Sequence, residues 1–177
     1  FRRRYRVSAT PIQNGIEIDR LPAGGSGRPG LLAETSWSSG AVVLGHFARL
    51  QRWKGTEVFL DALRHCPDGV RAVVVGAALY GREQEYAASL PRRAERLGLA
   101  ERVWFAGYRS DALELMSGCD IVAHCSLAPD PFPTVVLEAM GMGRAVVATR
   151  TRGPEEMVVN GQTGALVTPG SVTELAE

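Results

Sequence analysis

Glu138 is the one carboxylate in an otherwise apolar helical run, with Val135-Val136-Leu137 before it and Ala139-Met140 after it. Its neighbours three and four residues away are Thr134, Val135, Gly141 and Met142, so no basic side chain on its own helical face can neutralise it. It also misses the place of a capping-box acid, which would fall at residue 137. Burying such a group is costly unless hydrogen-bond donors meet it. The two hydroxyls of a vicinal diol, as on a ribose, would do so. The plainer alternative is an exposed glutamate, or one that ties down a distant loop. Asp130, in the loop ahead of the same helix, would alone be an ordinary turn residue; paired with Glu138 it can face the other end of one ligand. Pro131 and Pro133 stiffen the loop between them, and the first helix amides, near Thr134 and Val135, are free to meet an anion.

A second cluster supplies cations. The loop His46-Phe47-Ala48-Arg49-Leu50-Gln51-Arg52-Trp53-Lys54-Gly55 opens a helix at Thr56. Positive side chains at a helix start are electrostatically poor, because that end already carries partial positive charge. A diphosphate would relieve the conflict, which assigns Arg49 and Lys54 to phosphate; Arg52, beside Trp53, is read as a packed loop edge. Gly45, at the end of the preceding apolar run, joins the candidate donor-binding set. The alternative is that these cations simply point to solvent. A dinucleotide fingerprint is excluded, since neither Gly45–Leu50 nor Gly76–Gly81 has the GxGxxG spacing, and no P-loop occurs.

Positioning these groups requires a frame, and the frame is regular. Apolar runs at 41–45, 71–76, 102–106, 120–124, 145–149 and 165–167 read as strands buried on both faces. Helical spacing fills the gaps at 56–65, 82–97, 110–116 and 134–142, with a last helix from about Val172. This alternation predicts an α/β fold, a Rossmann-like parallel sheet with helices on both faces. Ligands then sit at the carboxyl ends of the strands, where both clusters fall. Residues 22–40, rich in Pro, Gly and Ser, read as a loop. The domain division is therefore a lead-in segment with its loop over 1–40, then a ligand-binding domain over 41–177 whose last helix is cut short. A first residue other than Met agrees with a piece of a longer protein.

The whole chain restricts the partners. A net charge of +1 over 177 residues gives no general case for nucleic acid. The arginine-rich start, Phe1 to Arg6, is the one stretch suited to peripheral contact with a membrane, though such runs are ordinarily solvated ends. Cys66, Cys119 and Cys125 form no metal or disulfide framework, which points to a reducing, cytoplasmic setting, with the inner membrane face open to those arginines. Cys119 and Cys125 read as core residues. No apolar run approaches the ~18 residues of a membrane span.

Taken in order, these motifs resemble the C-terminal domain of family 4 (group 1) retaining glycosyltransferases of GT-B fold. Asp130 to Glu138 has the spacing of that family's E-x7-E signature, and Arg49 and Lys54 resemble its diphosphate-binding pair. Pro11 to Asp19 is similar to its entry segment, and Gly153-Pro154-Glu155-Glu156 and Asn160-Gly161-Gln162-Thr163-Gly164 follow in its usual order. The resemblance implies that Glu138 holds the ribose hydroxyls and that Asp130 faces the donor sugar. It implies further that the backbone from Phe132 through Pro133 and Thr134 to Val135 approaches sugar and phosphates. Arg49 and Lys54 would stabilise the leaving nucleoside diphosphate, with no metal and no cofactor. The acceptor would belong to a missing N-terminal domain, so that this half would not transfer sugar alone. Two residues depart from the family pattern: Asp130 stands where Glu is usual, and Pro133 stands where Gly is common. Two alternatives stay open: a non-catalytic sugar-nucleotide-binding module, or another GT-B enzyme such as an epimerase or phosphorylase. A phosphorylase calls for a cofactor-bearing lysine, and the sole lysine, Lys54, is taken by the phosphate argument.

Overall fold

Six short apolar runs in this chain, too short for helices and too apolar for loops, become the strands of one sheet. The computed structural model describes residue 10 and residues 12–177; the arginine-rich start and Pro11 lie outside the described residues. The strands are β1 (Val42–Phe47), β2 (Val70–Val75), β3 (Val103–Gly107), β4 (Ile121–His124), β5 (Ala145–Thr149) and β6 (Ala165–Val167). The helices are α1 (Arg28–Thr35), α2 (Thr56–Leu63), α3 (Gly81–Arg96), α4 (Ala112–Ser117), α5 (Thr134–Gly141), α6 (Gly153–Met157) and α7 (Val172–Ala176). The strands pair in parallel in the order β3-β2-β1-β4-β5-β6. The expected fold class therefore holds.

Alternating strand residues feed two cores. Val73 and Val75 pack with Leu31 of α1, Leu115 and Met116 of α4 and Ala139 of α5. Ala72 and Val74 pack on the other face with Phe59 and Leu63 of α2 and Leu90 of α3. Burial on both faces is why the strands read as continuous apolar runs rather than as alternating ones. Cys119 and Cys125 are buried among these residues, and burial pushes both thiols up to about 12.

Residues 28–35 correct the expectation of a loop. They form α1, with Pro29 in its first turn, where the missing N–H costs nothing. The Arg28 guanidinium anchors it by donating to the Gly118 carbonyl (3.1 Å) and to Asp120 Oδ2 (2.9 Å). The short helix α6 was also not foreseen. Among the described residues no helix is long and apolar enough to cross a membrane.

Strand order reverses between β1 and β4. The helices that follow the two strands, α2 and α5, pack on opposite faces of the sheet, the arrangement in which ligands bind in the crevice at the carboxyl ends of the strands. The Arg49–Lys54 loop follows β1, and the Asp130 loop follows β4.

Candidate functional site

His46 and Gly55 bring the two loops together. His46, buried on β1, donates from Nδ1 to the Ala123 carbonyl of β4 (3.1 Å) and accepts at Nε2 from the Thr56 hydroxyl (3.1 Å). This pairing requires a neutral ring, and burial, with help from His124 and Lys54, drives its pKa down to about 4. Gly55 caps α2 with φ 72°, in the left-handed region that glycine tolerates. A Cβ there would stand 1.9 Å from the Cys125 carbonyl oxygen, so only glycine lets the loops touch. The preceding turn of 3-10 helix, Arg52–Lys54, then lies against the β4 loop, where the Leu127 amide donates to the Trp53 carbonyl (2.7 Å).

The result is an ion pair that joins two of the expected site residues. Lys54 Nζ meets Asp130 Oδ2 at 2.6 Å, with both side chains mostly buried (16% and 10% exposed). His124 Nε2 (3.0 Å) and Ser126 Oγ (3.2 Å) reach the same oxygen. Burial alone would push the Asp130 carboxyl up. Hydrogen bonds from His124 and Lys54, with the Lys54 charge, outweigh it and hold Asp130 well below the usual carboxylate range. Asp130 is ionised at neutral pH.

Glu138 is in the opposite condition. It is half-buried on α5, and burial raises its pKa, opposed only by the Thr134 hydroxyl one turn earlier. It opens into a cleft of about 300 Å³ walled by Gly15, Ile16, Glu17, Arg20 and Leu113. The entry segment thus forms one side of the Glu138 site, and Asn14 fastens it by donating to the Phe132 carbonyl (3.1 Å). Pro133 is the N-cap of α5, one position earlier than a first helical residue, and it is buried. Thr134 and Val135 follow as the first two helical residues, with amides that no carbonyl within α5 can accept.

Arg49 is exposed and makes no ion pair or side-chain hydrogen bond among the described residues. It lines a cleft of about 360 Å³ with Phe47, Gly76, Leu79 and Tyr108 at the ends of β1, β2 and β3. Arg52 pairs loosely with Glu57 (3.5 Å) and lies over the Tyr86 ring, which agrees with a loop edge. Gly45 is corrected. It stands inside β1, where a Cβ would meet the Phe47 ring at 2.4 Å and Cys119 Sγ at 2.8 Å, and its smallness serves sheet packing.

Sequence reasoning missed His124, Ser126 and Arg152. The first two carried a usable signal, since residues two apart on an extended chain share a side. Arg152 carried none. It has φ 75° and ψ −71°, and the Gly153 amide donates to the Thr151 carbonyl (3.1 Å) across it, closing a γ-turn of the strained, positive-φ kind. The turn grips Asp130: the Asp130 amide donates to the Thr151 carbonyl (3.1 Å), and the Asp130 carbonyl accepts from Gly153 (3.1 Å). Arg152→Gly should relieve this strain and stabilise the chain by about 1 kcal/mol. Thermal melting should then rise by roughly 2–4 °C. A lower melting temperature would mean that the arginine side chain itself holds the turn.

Comparison with known proteins gives this arrangement relatives. Residues 32–177 match the family described as Glycosyl transferases group 1. Anabaena Alr3699/HepE, solved in complex with UDP and glucose, is 44% identical with a TM-score of 0.86, over 92% of this chain and 44% of that one. The same protein has been solved with UDP-glucose. A D-inositol 3-phosphate glycosyltransferase of Corynebacterium urealyticum is 35% identical over 72% of this chain and 31% of its own length. A phosphatidyl-myo-inositol mannosyltransferase of Mycobacterium leprae is 29% identical over 96% of this chain and 42% of its own. The chain spans less than half the length of each of these relatives.

Proposed function

The chain belongs to the group 1 glycosyl transferases, as a C-terminal domain of GT-B fold, and on that premise we propose that its crevice binds a nucleoside diphosphate sugar. A UDP-hexose is the foremost candidate, presented for transfer with retention to an acceptor held outside this chain. The observation that carries the reading is a pair of carboxylates in opposite conditions, one in the loop before α5 and one on α5 itself. Asp130 is held ionised by Lys54 and His124, whereas Glu138 is half-buried and makes no ion pair among the described residues. Glu138 takes the two ribose hydroxyls, whose O–H donors supply what the protein does not. Asp130 has Oδ2 committed to the protein and Oδ1 left for the sugar hydroxyls.

The diphosphate lies between them, over the amides of Thr134 and Val135 and within reach of Arg49 and Lys54. The apolar cleft beside Arg49 takes the base, since Ala112 lines that cleft and the next residue, Leu113, lines the Glu138 cleft. As the bond from the sugar's anomeric carbon to the diphosphate breaks, negative charge gathers on the leaving oxygen. Arg49, Lys54 and the α5 amides stabilise it there without a metal, and such stabilisation acts on the transition state itself. No general base or nucleophile is assigned to this chain, and transfer needs the acceptor domain. The sugar nucleotides bound by Alr3699/HepE support the choice of UDP and of glucose.

Titration calorimetry of the chain against UDP, GDP and ADP tests the class, and absence of binding to all three would overturn it. Arg49→Ala tests the phosphate assignment. Losing a charge-assisted contact should weaken UDP by about tenfold, with uridine affected far less. Equal losses for UDP and uridine would remove Arg49 from the diphosphate.

A further inference from the structure

We infer that His124 is a positioning residue, which keeps Asp130 aimed at the donor sugar while the donor phosphates draw Lys54 away. The inference rests on the donor-binding reading above and adds the group that lets Lys54 and Asp130 act separately. Three donors converge on one oxygen, Asp130 Oδ2: Lys54 Nζ at 2.6 Å, His124 Nε2 at 3.0 Å and Ser126 Oγ at 3.2 Å. Oδ1 has no partner among the described residues. A carboxylate held by a single oxygen keeps its other oxygen at a fixed bearing, which is what orienting a sugar hydroxyl requires.

The three donors differ in what holds them. Lys54 comes from a loop, on a flexible four-carbon stem, and its ammonium is the group that a diphosphate attracts. His124 and Ser126 come from β4 and the two residues after it, and both are buried. Their hydrogens are accounted for. The Thr149 hydroxyl of β5 donates to the Ser126 carbonyl (2.8 Å) and fixes the segment. Ser126 Oγ donates to Oδ2. An ionised carboxylate only accepts, so His124 Nε2 must carry its hydrogen and share it between Oδ2 and Ser126 Oγ (3.0 Å). If Lys54 turns to phosphate, Oδ2 keeps two donors that cannot follow it. Without His124 the carboxylate would keep only the serine hydroxyl, and its bearing would loosen.

The carboxamide of glutamine can place an N–H near the Nε2 position, whereas asparagine reaches only the Nδ1 position. His124→Asn is therefore expected to weaken UDP-glucose by about tenfold and to leave UDP within about twofold, because only the sugar depends on the aim of Asp130. His124→Gln should recover most of that loss. Equal losses for UDP and UDP-glucose, or identical behaviour of the two variants, would overturn the inference and leave the donor reading intact. Failure of the unsubstituted chain to bind either ligand would overturn the donor reading, and this inference with it. Should both variants unfold, nitrogen-15 spectra of the unsubstituted chain decide: a hydrogen on His124 Nε2 throughout a UDP-glucose titration is expected. A ring with Nδ1 protonated and Nε2 bare refutes the role.

Discussion

Asp130→Ala is expected to cost the chain about 3–5 kcal/mol of stability, the range for breaking a buried ion pair by removing one partner. The loss comes mainly from what is left behind. Lys54 would keep a mostly buried ammonium, over the Trp53 ring at 4.2 Å, with no ion-pair partner left among the described residues. His124 and Ser126 would lose the acceptor on which both converge. Asp130→Asn, which keeps an acceptor oxygen and the shape but not the charge, should cost less than half as much. Urea unfolding checks both variants, and a change below about 1 kcal/mol for alanine at constant slope would mean that the pair is screened like a surface pair. The pH dependence has a definite sign. Asp130 is depressed in the folded chain, so its stabilisation is fully present above the ordinary aspartate value of about 3.9 and is lost as pH falls from there through the folded value. The gap between the unsubstituted chain and Asp130→Ala should therefore narrow on acidification below about pH 4.

That prediction could not be made from sequence, and the reason is geometric. Lys54 and Asp130 are 76 residues apart, and their contact exists because β1 and β4 are neighbours at the point where strand order reverses. Gly55 then closes the last few ångströms. Nothing local to either residue says so, and each alone suggests a contact with ligand. Glu138 was legible because its anomaly is local: a carboxylate within an apolar helical run, without a basic neighbour one turn away. The sheet was legible for the same reason, since burial on both faces writes an unbroken apolar run into every strand. Composition misled at α1, where Pro29, Gly30 and the glycines before them read as a loop. A proline in the first turn belongs to a helix start, and Leu31, fully buried, shows that the segment is part of the core. The wall that residues 15–20 build beside Glu138 was hidden, because a segment without periodicity gives no sign of what it lies against.

Glu138→Ala is expected to weaken UDP by about tenfold or more, the worth of charge-assisted hydrogen bonds to two hydroxyls, with little or no loss of stability. The two halves of this expectation share one cause. Burial raises the Glu138 pKa, so the folded chain holds that proton more tightly than the unfolded chain does. The stability this contributes is present at low pH and is lost as pH rises through the folded value; above that value the ionised side chain is a burden that alanine removes. A ligand carrying a diol reverses the balance, because its O–H groups satisfy the carboxylate and favour the ionised form. UDP binding should accordingly strengthen as pH rises through the Glu138 value, and the Glu138→Ala variant should lose that part of the dependence. A ligand lacking one hydroxyl separates this from general damage. The unsubstituted chain should prefer UDP to 2′-deoxy-UDP, and Glu138→Ala should bind the two nearly alike. If the variant kept the full preference, the ribose would be held by some other group. Glu138 would then be a buried carboxylate whose cost no ligand offsets.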